Sequence, residues 1–132
     1  MTGGPPRYIL RMNNRPSDRL AIALAQLNPI VGDIAGNAEK ARHARAQAAG
    51  GGADLVMFTE LFIAGYPPED LVLKPSFQAA CRAATEALAR ETADGGPALL
   101  MGTPWLDNGK LDRKSTRLNS SHRSLSRMPS SA

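Results

Sequence analysis

Asp54-Leu55-Val56-Met57-Phe58-Thr59-Glu60-Leu61-Phe62-Ile63-Ala64-Gly65-Tyr66-Pro67-Pro68-Glu69-Asp70 is the stretch whose reading decides the fold. Four apolar residues, Leu55 to Phe58, follow the break at Gly50-Gly51-Gly52. They run into a carboxylate, Glu60, and then into a turn, Gly65-Tyr66-Pro67-Pro68. A short apolar run bounded by glycines and turn residues reads as a buried strand. In open α/β sheets, ligands sit beyond the carboxyl ends of the strands. The spacing therefore puts Glu60 where a catalytic carboxylate would stand.

The segments on either side extend the pattern. Leu20, Ile22 and Leu24 alternate with alanines up to Gln26-Leu27, which predicts a strand buried on both faces. Asn28-Pro29 ends it, because proline donates no ladder hydrogen bond. After Gly32-Asp33 and Gly36, Asn37 is the predicted N-cap of a helix over 38–49, rich in strong helix formers and stopped by the triple glycine. Strand, helix and strand make a unit with parallel strands. Pro75 then opens a second helix at its first turn. Its residues Phe77, Cys81, Ala84 and Leu88 form one apolar stripe. Asp94-Gly95-Gly96-Pro97 closes that helix, and Ala98–Met101 is a third strand closed by Gly102-Thr103-Pro104-Trp105.

Asp107-Asn108-Gly109-Lys110 is a hairpin signal that calls for a return strand. Residues 112–132 show no strand alternation, and seven of these 21 residues are serine, against two in the first 111. This composition predicts a disordered tail, foreign to the domain from about Arg113 onward. Residues 1–18, with their Gly, Pro and Arg, read as a mobile extension. The expected organisation is thus an extension over 1–18, a partial domain over 19–111 and a disordered tail over 112–132.

Charge is distributed unevenly. Residues 1–111 carry 11 Lys+Arg against 11 Asp+Glu, so the formal +4 of the whole chain belongs to residues 112–132. A neutral folded part gives no reason to invoke nucleic acid. No apolar run is long enough to cross a bilayer, and the single cysteine excludes an internal disulfide, so a cytoplasmic protein is expected.

For Glu60, the residues alone leave two readings open. Flanking Phe58, Leu61 and Phe62 would disfavour the ionised carboxyl and suit a general base. A structural carboxylate capping a helix or pairing with an arginine fits as well. Tyr66 either lines a substrate pocket or packs on the Pro67-Pro68 turn. Cys81 reads as core packing, because a nucleophilic thiol needs an accessible, electropositive site. His43, among Lys40, Arg42 and Arg45, reads as part of a solvated face. Trp105 is expected against the sheet, and Glu69 and Asp70 as caps of a short turn. The two histidines, His43 and His122, build no metal cluster.

Phe58-Thr59-Glu60-Leu61-Phe62 with Gly65-Tyr66 resembles the glutamate motif of the nitrilase, or carbon–nitrogen hydrolase, superfamily. Ala25-Gln26-Leu27-Asn28-Pro29, with Gly32-Asp33 and Gly36-Asn37, resembles that family's first strand and turn. Pro67-Pro68-Glu69-Asp70-Leu71 is similar to the glutaminase domains of glutamine-dependent NAD synthetases, and Gly102-Thr103-Pro104 also fits. The resemblance spans roughly residues 20–111. It implies an α/β fold, the first part of a four-layer αββα sandwich.

The resemblance also implies a Glu-Lys-Cys triad. In it a thiolate attacks the glutamine side-chain amide, Glu60 is the general base, and a lysine stabilises the oxyanion. The released ammonia feeds amidation of nicotinate adenine dinucleotide in a separate domain that uses ATP and Mg²⁺. It implies glutamine as substrate, Tyr66 beside it, no cofactor within this part, no nucleic-acid or membrane partner, and a homo-oligomeric parent. Only Glu60 of the triad carries over, so the chain itself is expected to be inactive. Lys110 and Lys114 lack the lysine's surrounding motif. Two other readings stand beside this one: an amidase or nitrilase acting on a free small amide, and a non-enzymatic interaction module with a basic tail.

Overall fold

The structure, a computed structural model, describes residues 18–107, 110–118 and 126–127. Its core is a sheet in the order β1 (Ile22–Ala25), β2 (Leu55–Phe58), β3 (Ala98–Asp107), β4 (Lys110–Leu118) and β5 (Ser126–Arg127). β1, β2 and β3 are parallel, as strands joined through helices must be. Helix α1 (Ile34–Gly50) joins the first pair and α2 (Pro75–Glu91) the second. In register, Ala23 faces Val56 and Val56 faces Leu99, and this row points toward the helices. Val56, Phe58, Leu99 and Met101 pack there with Ala38 and Ala41 of α1 and Cys81 and Leu88 of α2.

The predicted stripe on α2 is the face that packs: Cys81 and Leu88 are buried, with Phe77 and Ala84 half-buried against the core. Pro75 occupies the first turn, as expected. Gly51 caps α1 and Gly52 turns the chain at φ 85°. Trp105, on β3, is buried, with the Arg82 guanidinium 4.6 Å from its ring centroid.

Several expectations need correction. The helix N-cap is Asp33, whose carboxylate accepts from Gly36 N, and Asn37 lies inside the helix and fully buried. β1 is not covered on both faces, since Ile22 and Leu24 are exposed on the face opposite the helices. β3 does not close at Gly102 but runs through Pro104 to Asp107. A proline is tolerated there because pairing with β2 stops at Met57–Leu100, which leaves a neighbour on one side only.

The return strand that composition seemed to deny is present. β4 pairs antiparallel with β3 from Asp107–Lys110 to Leu99–Leu118, and β5 pairs with β4. The expected disorder over 112–132 is therefore corrected for 112–118 and 126–127. Ladder hydrogen bonds come from the backbone, so a hairpin forms without apolar alternation. Asn108-Gly109, the rest of the tail and residues 1–17 lie outside the described residues.

The cations of α1 are not simply a solvated face. Arg42 pairs with Glu91 and Glu39. Arg45 pairs with Asp94 at 2.6 Å and donates to Pro97 O at 2.8 Å, tying α1 to the segment between α2 and β3. That guanidinium holds the Asp94 carboxyl down to about 2. His43 is exposed.

Candidate active site

Glu60 stands two residues past the carboxyl end of β2. The chain turns sharply there, with Leu61 at φ 51°, a left-handed conformation that a leucine adopts only when its surroundings fix it. What fixes it is burial. Leu61, Phe62, Ile63 and Ala64 are all buried, and Phe62 comes back onto Phe58 with ring centroids 4.8 Å apart. Glu60 itself is exposed. The apolar flank read from sequence therefore does not enclose the carboxylate, because those side chains turn inward and pack on one another.

The turn is held from two sides. On one side, Gly65 N donates to Leu61 O, and Gly32 N donates to Ala64 O at 3.0 Å. Gly65 has φ 81°, and a Cβ on it would lie 2.5 Å from Val31 Cα. Only glycine permits that approach. Buried Asn37 ties the same two loops together. Its Oδ1 accepts from Ile30 N at 2.8 Å, and its Nδ2 donates to Ile30 O at 2.8 Å and Ile63 O at 3.0 Å. On the other side, a Cβ on Gly102 of β3 would lie 2.7 Å from Leu61 N and 3.5 Å from Glu60 Cα.

Asn37 and Gly102 are the positions that reading by motif undervalued, one as a cap and the other as a strand end. A glycine inside an apolar strand was the available signal, since it often marks close backbone approach.

Tyr66 follows the turn and is 57 % exposed, joined to Pro67 by a cis peptide bond. Glu69 and Asp70 fall in the first turn of a 3-10 segment, Glu69–Leu73, but make no side-chain cap hydrogen bond. Cys81 lies in the helix–sheet core, and burial pushes its thiol up to about 11. Such a thiol is a packing group and a poor nucleophile. An open depression of about 390 Å³ beside α1 is lined by Leu27, Lys40, His43 and Gln47 among others, and neither Glu60 nor Tyr66 borders it. Among the described residues, no cluster of His, Cys, Asp or Glu could hold a metal ion, and no helix is long and apolar enough to cross a membrane.

The site thus sets Glu60 just past β2, in a sheet whose first three strands are parallel and joined through helices. The family match covers residues 21–123, and the chain belongs to this carbon–nitrogen hydrolase family. Within it, the chain is similar to the glutamine-dependent NAD(+) synthetase of Rhodobacter capsulatus, at 52 % identity over 91 residues. That match covers 69 % of this chain and 16 % of the relative, so the chain spans about a sixth of its length. The glutamine-dependent NAD+ synthetase of Acinetobacter baumannii, solved with ADP, superposes with a TM-score of 0.69 at 28 % identity, over 76 % of this chain and 19 % of that one. An amidase from Nesterenkonia sp. superposes with a TM-score of 0.61 at 29 % identity, over 74 % and 36 %. The nitrilase-like α/β fold expected from the sequence is the fold observed.

Proposed function

We propose that this chain is the glutamate-bearing opening part of a glutamine amidohydrolase that supplies ammonia for NAD synthesis, with Glu60 as its general base. The observation that carries the reading is the position of Glu60 at the tip of β2, on a turn braced by β3 and by the loop after β1. The 52 % identity to a glutamine-dependent NAD(+) synthetase supports glutamine as the substrate.

The chemistry is nucleophilic catalysis by an activated thiol. Glu60 takes the thiol proton, and the thiolate attacks the amide carbonyl of glutamine. A lysine stabilises the resulting oxyanion. Ammonia leaves with a returned proton, and water then hydrolyses the thioester to glutamate. Cys81 is not that thiol, since it is buried and holds its proton. Thiol and lysine belong to the longer enzyme, as do the ATP- and Mg²⁺-dependent synthetase part, the homo-oligomeric assembly and the cytoplasmic location. In this reading Tyr66, exposed beyond the same turn, borders the substrate, and its exposure supports that role. The 132-residue chain alone is inactive.

The test uses a complete enzyme in which residues 20–106 replace the matching segment of the Rhodobacter capsulatus synthetase. Glu60→Gln there lowers glutamine hydrolysis by about 10²–10⁴-fold, the usual contribution of a general base. Unchanged hydrolysis removes Glu60 from the mechanism, and ammonia release from glutamine by the isolated chain overturns its inactivity. A second reading, an amidase acting on a free small amide, draws on the likeness to the Nesterenkonia amidase. Hydrolysis of small aliphatic amides in preference to glutamine by the same enzyme would favour it.

A further inference from the structure

We infer that Gly102 is a positioning residue for the Glu60 carboxylate, an inference that rests on the proposed role of Glu60. β3 extends beyond the last pair it makes with β2, Met57–Leu100, and Gly102 lies two residues further along. The turn that follows β2 leans against β3 at this point. An added Cβ would meet Leu61 N at 2.7 Å, and Glu60 C and Cα at 3.5 Å each.

The glycine is not there for its conformational freedom. It sits in an extended strand with no positive φ, so alanine could adopt the same backbone. What glycine supplies is room. The atom that a methyl would strike is a backbone nitrogen, which cannot swing aside as the end of a side chain can. Leu61 has little freedom to retreat: its side chain is buried, its φ is already left-handed, and its carbonyl accepts from Gly65 N at 2.9 Å. Gly65 is in turn pressed against Val31. A methyl at 102 must therefore displace the residue that carries the carboxylate, the atoms next to the contact, by some tenths of an ångström or more. Proton transfer depends on heavy-atom separations within a narrow range, so this displacement acts on the chemical step.

The experiment uses the complete enzyme described above, with Gly102→Ala, Glu60→Gln, and Gly50→Ala as a control whose methyl meets nothing within 4 Å. Glutamine-driven and ammonium-driven NAD synthesis are measured in parallel. Gly102→Ala lowers the glutamine-driven kcat by about 10²-fold, the scale reached by an ångström of misplacement. It leaves KM for glutamine within about twofold, and ammonium-driven synthesis and the Gly50→Ala enzyme stay at the parent rate. A Gly102→Ala enzyme with kcat within twofold of the parent overturns the inference. So does one that loses ammonium-driven synthesis as well, since the glycine is then a general structural residue. An active Glu60→Gln enzyme is a different failure: it removes the base itself, and the positioning role with it.

Discussion

Cys81 should be chemically silent in the folded chain. The residue is fully buried, and burial pushes its thiol from 9.0 to about 11. Two units mean about 100-fold less thiolate at any pH below 9. At pH 8 that is roughly 0.1 % thiolate instead of roughly 10 %. Reaction with a thiol reagent such as DTNB then needs an opening event in addition, because the sulfur has no surface to offer. The native chain should react at least about 100-fold more slowly than the same chain in urea. The assay is thionitrobenzoate release at pH 8 from dilute protein, with far-UV circular dichroism recorded on the same sample. Full labelling at the urea rate, with helix and strand signals intact, would refute the packing of α2 on the sheet described above.

The same thiol sets a pH dependence. Its folded pKa is raised, so the folded chain keeps a proton that the unfolded chain releases. The stability involved is fully present below about pH 9 and is lost as pH rises toward about 11. The slope is about 1.4 kcal/mol per pH unit within that window. Cys81→Ser should remove this alkaline slope.

Other perturbations read other parts of the structure. Leu24 is 70 % exposed on the uncovered face of edge strand β1, so the chain should self-associate. Leu24→Lys should lower the sedimenting mass toward the monomer, and a sharp monomeric boundary for the unaltered chain would contradict this. Asn37→Ala leaves Ile30 N, Ile30 O and buried Ile63 O without their partner, and should cost about 2–4 kcal/mol in urea unfolding. Asp33→Ala removes only a cap, worth about 1 kcal/mol, so equal losses would return Asn37 to a capping role. Gly65→Ala and Gly95→Ala both impose a positive φ, 81° and 78°, which costs an alanine about 1–2 kcal/mol. Gly65→Ala adds a clash with Val31 while Gly95→Ala meets nothing, so the first should lower the melting temperature further.

Much of this architecture was legible because it depends on local chemistry. The apolar run Leu55–Phe58, the proline at the start of α2 and the stripe ending at Leu88 each carry a short-range cause, and each appears where it was expected. The glutamate motif was legible in the same way, and with it the family. The misplaced elements were those in which one segment answers to another. β3 passes through Gly102 and Pro104 because β2 has already ended beside it. β4 forms because β3 offers a free edge, a property no residue of 110–118 encodes.

The sequence by itself determined the order of the first three strands and the two helices between them, the face α2 buries, and the carboxylate at the tip of β2. Only the tertiary structure decided what surrounds that carboxylate. The phenylalanines beside Glu60 turned inward, and Asn37 left the helix end to join two loops. Gly102 proved to be space for a neighbouring backbone. The physical reason is one of range: periodicity and capping act within a few residues, whereas burial and close approach are settled by chain that is distant in sequence and adjacent in space.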